Sequence, residues 1–155
     1  MPIAALAFRA VERSFFQQVL DVFEGFVADV EGELQSYAHR RGLKVWFDDA
    51  TREHYEAQFV RVDGVVGLEI GFHSEYPKAP ANDDVMAAIA VNENVWREEL
   101  GDEPVVGPFL GSDIWRRISE VWDLPGDEDV DTVIEVAARL ADYVVALEPL
   151  RRSAG

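Results

Sequence analysis

The chain has no cysteine, which excludes disulfides, thiolate metal sites and cysteine nucleophiles at once. Lysine is almost absent: Lys44 and Lys78 are the only two among 14 basic residues, set against 30 acidic ones. The resulting formal charge of −16 repels phosphate backbones and anionic lipid surfaces. We therefore expect neither nucleic acid nor membrane as a partner, and a basic polypeptide as the charge-matched one. No apolar run approaches the roughly 20 residues of a membrane span. The opening "MPIAALAFRAVERS" carries no positively charged leader before its short apolar run, so a cytoplasmic location is expected. Common enzyme signatures are also missing: there is no G-x-x-x-x-G-K-[ST], no G-x-G-x-x-G after a strand, no H-E-x-x-H and no G-x-S-x-G.

What is present is a 155-residue chain, 48% apolar, near the size of one domain. The expectation is a single globular domain over 1–155, with 1–13 and 150–155 loosely ordered. Ser14 followed by Gln17 reads as a capping box that opens a long helix over 15–40. Its apolar seam steps by four and three through Phe16, Leu20, Phe23, Val27, Val30, Leu34 and Tyr37. His39, Arg40 and Arg41 would then sit where the helix dipole favours cations, with Gly42 ending the helix.

From Leu43 the period changes to two, and strands are predicted over about 43–48, 53–62 and 65–74. Asp63-Gly64 signals a two-residue hairpin turn, because both positions tolerate positive φ. If Val62 pairs with Val65, then Phe59 faces Leu68, Ala57 faces Ile70 and Tyr55 faces Phe72, which makes that side the core side. The other side carries Val60 opposite Gly67, Gln58 opposite Glu69, Glu56 opposite Gly71, and His54 opposite His73. A middle helix is predicted over 84–100, capped by Asn82 or Asp83 and ended by Gly101. Residues 102–111 read as an ordered loop, and 113–123 as a short helix or an edge strand. A last helix runs over 128–148, capped by Asp127 or Asp129 and stopped by Pro149. The fold class is α+β, a three-stranded antiparallel meander packed against these helices.

Two polar or aromatic constellations stand out. Directly paired histidines have Cβ atoms about 5 Å apart, so His54 and His73 can reach one ion, with Glu56 and Glu75 two residues away on the same face. Two imidazoles and one or two carboxylates suit zinc or another divalent transition metal. No cofactor is expected; a divalent metal such as zinc is the alternative. The plainer expectation is a solvated edge, in which two neighbouring imidazolium ions would lower each other's affinity for protons. The second constellation is a Gly/Pro-containing loop with Phe109, followed by Trp115 and the basic pair Arg116 and Arg117, a candidate surface for ligand or partner binding.

The order helix, three strands, helix, strand, helix resembles the architecture of small acidic secretion chaperones. That resemblance rests on element order alone, and it implies a homodimer that binds another polypeptide. The leading functional expectation is accordingly a non-catalytic polypeptide-binding or chaperone-like module. The alternative is a small metal-dependent or acid/base enzyme with its site on the polar face of the 54–75 hairpin. A third reading, weaker still, is an acidic nucleic-acid mimic that binds a basic protein.

Overall fold

A computed structural model describes residues 14–123 and 129–154. Ser14 caps the first helix, α1 (Phe15–Phe26), its hydroxyl accepting the Gln17 backbone N–H at 3.2 Å. Phe16, Val19, Leu20 and Phe23 turn into the core. The helix stops far short of residue 40. After a turn containing Gly32 at φ 109°, residues Leu34–His39 form strand β1, paired antiparallel with β2 (Gly42–Phe47) from Leu34↔Phe47 to His39↔Gly42. The spacing of Val30, Leu34 and Tyr37 is therefore not a helical seam. Val30 and Leu34 pack against the core from a turn and a strand, while Tyr37 is exposed. His39 and the two arginines shape a hairpin reversal, not a helix end, because β2 offers residues 34–39 a ladder of backbone partners.

The next hairpin follows the sequence register at every pair. Strand β3 (Glu53–Val62) and β4 (Val65–Ser74) pair from Val62↔Val65 through Phe59↔Leu68, Tyr55↔Phe72 and His54↔His73 to Glu53↔Ser74. Asp63 and Gly64 take φ 51° and 81°, as the turn requires. Tyr55, Ala57, Leu68, Ile70 and Phe72 are fully buried on the helix side.

The sheet is larger than a three-stranded meander. Two further strands, β5 (Val105–Pro108) and β6 (Arg116–Asp123), give the order β1-β2-β3-β4-β6-β5, with every neighbouring pair antiparallel. Segment 113–123 supplies β6 (Arg116–Asp123), which is neither a helix nor an edge, since it lies between β4 and β5 (Val105–Pro108). Thus the presumed loop 102–111 contains a strand. Of the tryptophans that mimic helical spacing, Trp115 precedes the strand and Trp122 sits on it, where side chains alternate. Ile118 and Trp122 join the core, while Ser119 is buried opposite them.

The middle helix is two helices. α2 (Ala79–Ala90) starts earlier than predicted, with Pro80 in its first turn where no donor is needed, and α3 (Glu93–Leu100) follows and ends at Gly101. Asn82 is not a cap but a buried residue inside α2. The last helix, α4 (Val130–Ala154), is capped by Asp129, which accepts the Thr132 N–H at 2.9 Å; Asp127 lies outside the described residues. Pro149 does not stop it. Residues 150–154 continue the helix, and Arg151 and Arg152 pair with Glu148 one turn back. Residues 1–13 lie outside the described residues.

Helices α1 and α4 pack on each other and on the apolar side of the sheet. Two buried carboxylates tie α4 to the strands: Glu148 accepts the Tyr55 hydroxyl at 2.9 Å, and Glu120 on β6 accepts the Tyr143 hydroxyl at 2.6 Å and the Arg139 guanidinium at 2.8 Å. Among the described residues, no helix is long and apolar enough to cross a membrane.

On the opposite side of the sheet, Gly71 lets β6 come close. A Cβ there would lie 2.3 Å from the Ile118 carbonyl oxygen and 2.5 Å from Ser119 Cα. The glycine thus serves strand packing. Gly71→Ala is expected to destabilise the fold by about 1–3 kcal/mol, as overpacking does, measured from urea unfolding midpoints. An unchanged midpoint would contradict the close approach.

Candidate functional site

The face of the hairpin turned away from the helices is built by strand alternation. His54 and Glu56 project from β3, and Glu69 and His73 from β4, with Glu75 just beyond the end of β4. Pairing sets the two imidazoles side by side and Glu56 across from Gly71. The segments His54-Tyr55-Glu56 and His73-Ser74-Glu75 run in opposite directions, so one carboxylate arrives from each end of the histidine pair.

The four predicted residues do converge. One ligand-type atom from each of His54, Glu56, His73 and Glu75 lies within 4.8 Å of all the others. His54 Nε2 is 3.2 Å from Glu75 Oε2 and 3.3 Å from Glu56 Oε1. His73 Nδ1 is 3.0 Å from Glu56 Oε1 and 3.3 Å from Glu75 Oε2. The expectation of a solvated edge is overturned: His54 is 1% and His73 0% exposed, and the Glu75 side chain only 13%.

The outer ring nitrogens are already engaged. His54 Nδ1 lies 2.9 Å from the Thr51 carbonyl oxygen, which can only accept, so Nδ1 carries the proton and Nε2 faces the cluster. His73 Nε2 lies 2.8 Å from Glu69 Oε2. Glu69 is fully buried and receives two further donors, Gln58 Nε2 at 2.8 Å and Ser119 Oγ at 2.7 Å. Arg117 in turn donates to Ser119 Oγ at 2.8 Å.

Three carboxylates against two imidazoles decide the charge states. His73 is held well above its ordinary value: burial opposes this, but the charge of Glu69 and hydrogen bonds to Glu56, Glu69 and Glu75 outweigh it. His54 is raised too, burial again being outweighed by Glu56 and Glu75. The charge of His73 does act to lower His54, yet it is the smaller effect, which reverses the expected mutual depression. Glu56 is drawn down to about 2 despite its burial, by hydrogen bonds from both histidines. Glu69 and Glu75 are likewise lowered against their burial.

The aromatic constellation meets the polar one. The Phe109 ring stands edge-on to His73 with centroids 4.5 Å apart, and Trp115 stands edge-on to Phe109 at 5.8 Å. Arg117 belongs to the Ser119–Glu69 chain, whereas Arg116 turns aside to Asp83 at 2.7 Å. Sequence reasoning missed Glu69, although its own register placed Glu69 on the same face as His73 with only Gly71 between them. It also missed Ser119, which no local signal assigns to this face until β6 is known to flank β4, and Asn82. The Asn82 amide accepts from Ser74 Oγ (2.7 Å) and the Tyr76 N–H (2.8 Å), and donates to the carbonyls of Tyr76 (3.0 Å) and Ile114 (2.8 Å). It thereby brackets Glu75 and anchors the loop that carries Trp115.

Chemically, the cluster offers two nitrogen and two oxygen ligands in a dry setting, or a buried proton-holding network. No family model, curated protein or solved structure matches the chain.

With no ion bound, the signs of the shifts fix the pH response. Stabilisation from the raised histidines is complete below 6.5 and is lost as pH climbs through their folded values. Stabilisation from the lowered carboxylates is complete above 4.5 and is lost as pH falls, for Glu56 toward about 2. Melting of chelator-treated protein should therefore peak between 4.5 and 6.5, and His73→Gln should flatten the alkaline decline. A melting temperature still rising above neutral pH would contradict the charged pair.

Proposed function

We propose that this protein binds one divalent transition-metal ion through His54 Nε2, His73 Nδ1, Glu56 and Glu75. Support comes above all from spacing. An ion holding nitrogen and oxygen ligands at about 2.0–2.1 Å separates them by about 3.3 Å at tetrahedral corners. The four nitrogen-to-oxygen distances in the cluster are 3.0, 3.2, 3.3 and 3.3 Å. A mixed imidazole–carboxylate set suits zinc, and after it iron, nickel or manganese. Four ligands from the chain leave no vacant corner on a tetrahedral ion, which favours holding the ion over turning over a substrate.

Metal analysis of protein purified without chelator, followed by zinc titration, tests the proposal. About one ion per chain is expected. Zinc at a hundredfold excess over its dissociation constant adds about 2.7 kcal/mol, a rise in melting temperature of about 5–10 °C for a chain of this length. The rise should vanish in His54→Ala and in Glu75→Gln, the latter altering the more exposed end. Absence of any bound metal together with no response to zinc, manganese or nickel would sink the proposal.

A second reading is a non-catalytic polypeptide-binding module that pairs as a homodimer. It is favoured by a groove between α1, α3 and α4 in which Phe26 and Val145 stand 48% and 49% exposed, lined also by Ala138 and Ala141 and flanked by Glu99 and Asp142. Light scattering is expected to give a two-chain mass that falls to one chain in Val145→Asp. A one-chain mass at all concentrations would count against this reading.

A further inference from the structure

We infer that Glu69 is the positioning residue of the centre: it accepts the hydrogen bond of the His73 Nε2–H and so commits His73 to bind the ion through Nδ1. This rests on the metal-binding reading above. A neutral imidazole carries one N–H, and only the other nitrogen can bind a metal. In a fully buried setting that N–H needs an acceptor, and the one at hand is Glu69 Oε2 at 2.8 Å. Glu69 and His73 are four residues apart on one strand and meet above Gly71, which puts no side chain between them.

The carboxylate is itself held in place. Gln58 Nε2 donates to Oε1 at 2.8 Å and Ser119 Oγ donates to Oε2 at 2.7 Å, with Arg117 behind Ser119. A chain of donors thus runs from Arg117 on β6 through Ser119 to the carboxylate that receives the imidazole N–H. His54 is oriented differently, through the Thr51 carbonyl. Neutral backbone positions one ligand and an ionised carboxylate the other, and the carboxylate also raises the basicity of the ring it holds. A hydrogen-bond acceptor alone would satisfy the ring, because a glutamine oxygen accepts the same proton. The negative charge is what the metal-binding role adds.

Glu69→Gln separates the two. Zinc affinity, measured by competition with a chromophoric chelator, is expected to fall about 10–100-fold while the protein stays folded. The chain has three histidines, so the proton-bearing nitrogen of each can be read by long-range ¹⁵N–¹H correlation. In zinc-loaded wild type, His73 should bear its proton on Nε2. Ser119→Ala, which removes one donor from Glu69 and keeps the carboxylate, should weaken zinc binding in the same direction, and it stands in if Glu69→Gln does not fold. Zinc bound by wild type and held equally well by the folded variants overturns this inference alone, as does a His73 proton on Nδ1. A wild-type protein that takes up no zinc overturns the centre and this inference with it.

Discussion

A two-residue reversal at Asp63-Gly64 locks β3 against β4, and the polar centre exists because that lock cannot slip. Side chains alternate, so a shift of β4 by one residue against β3 would send His73 among the helices, away from His54, and bring Leu68, Ile70 and Phe72 to the other face. Each large apolar side chain is worth about 1.5–3 kcal/mol when buried, whereas a typical hydrogen bond nets about 1 kcal/mol. The apolar side of the hairpin therefore enforces the register, and the polar side inherits it. The centre is positioned by residues that never touch it.

That inheritance lets the sheet hold charge where charge is expensive. Removing an ion from water costs several kcal/mol after relaxation, and a buried pair recovers this only with good geometry and no unmet hydrogen bonds. Here every carboxylate of the cluster has a ring nitrogen within 3.3 Å, and Glu69 has three donors. The helix side solves the same problem at Glu120 and Glu148, each surrounded by tyrosine and arginine donors. The difference lies in composition. On the helix side acids meet permanent cations, while on the far side they meet imidazoles, whose protons can be exchanged for a metal.

Local chemistry made the hairpin, its register, the Ser14 cap, the Gly101 helix end and the convergence of His54, Glu56, His73 and Glu75 legible in the sequence, because each depends on residues near one another in the chain. The burial of that cluster was not legible. It depends on β6 flanking β4 and on Phe109 lying against His73, and both are long-range. Residues 34–39 were misread for a related reason: steps of three and four fit a helix until the β2 ladder competes for the same backbone groups. Residues 113–123 carry tryptophans at spacings that suit either structure, and pairing with β4, joined by β5 along residues 116–119, makes 116–123 a strand. At Pro149 the local rule yielded to ion pairs around Glu148.

Asn82 binds two segments remote in sequence with one amide, holding the chain on either side of Glu75 and the carbonyl just before Trp115. The lengths of those two connections are consequently not independent. An insertion in either would pull its carbonyl off the shared amide and leave one of the amide's two N–H groups without its partner.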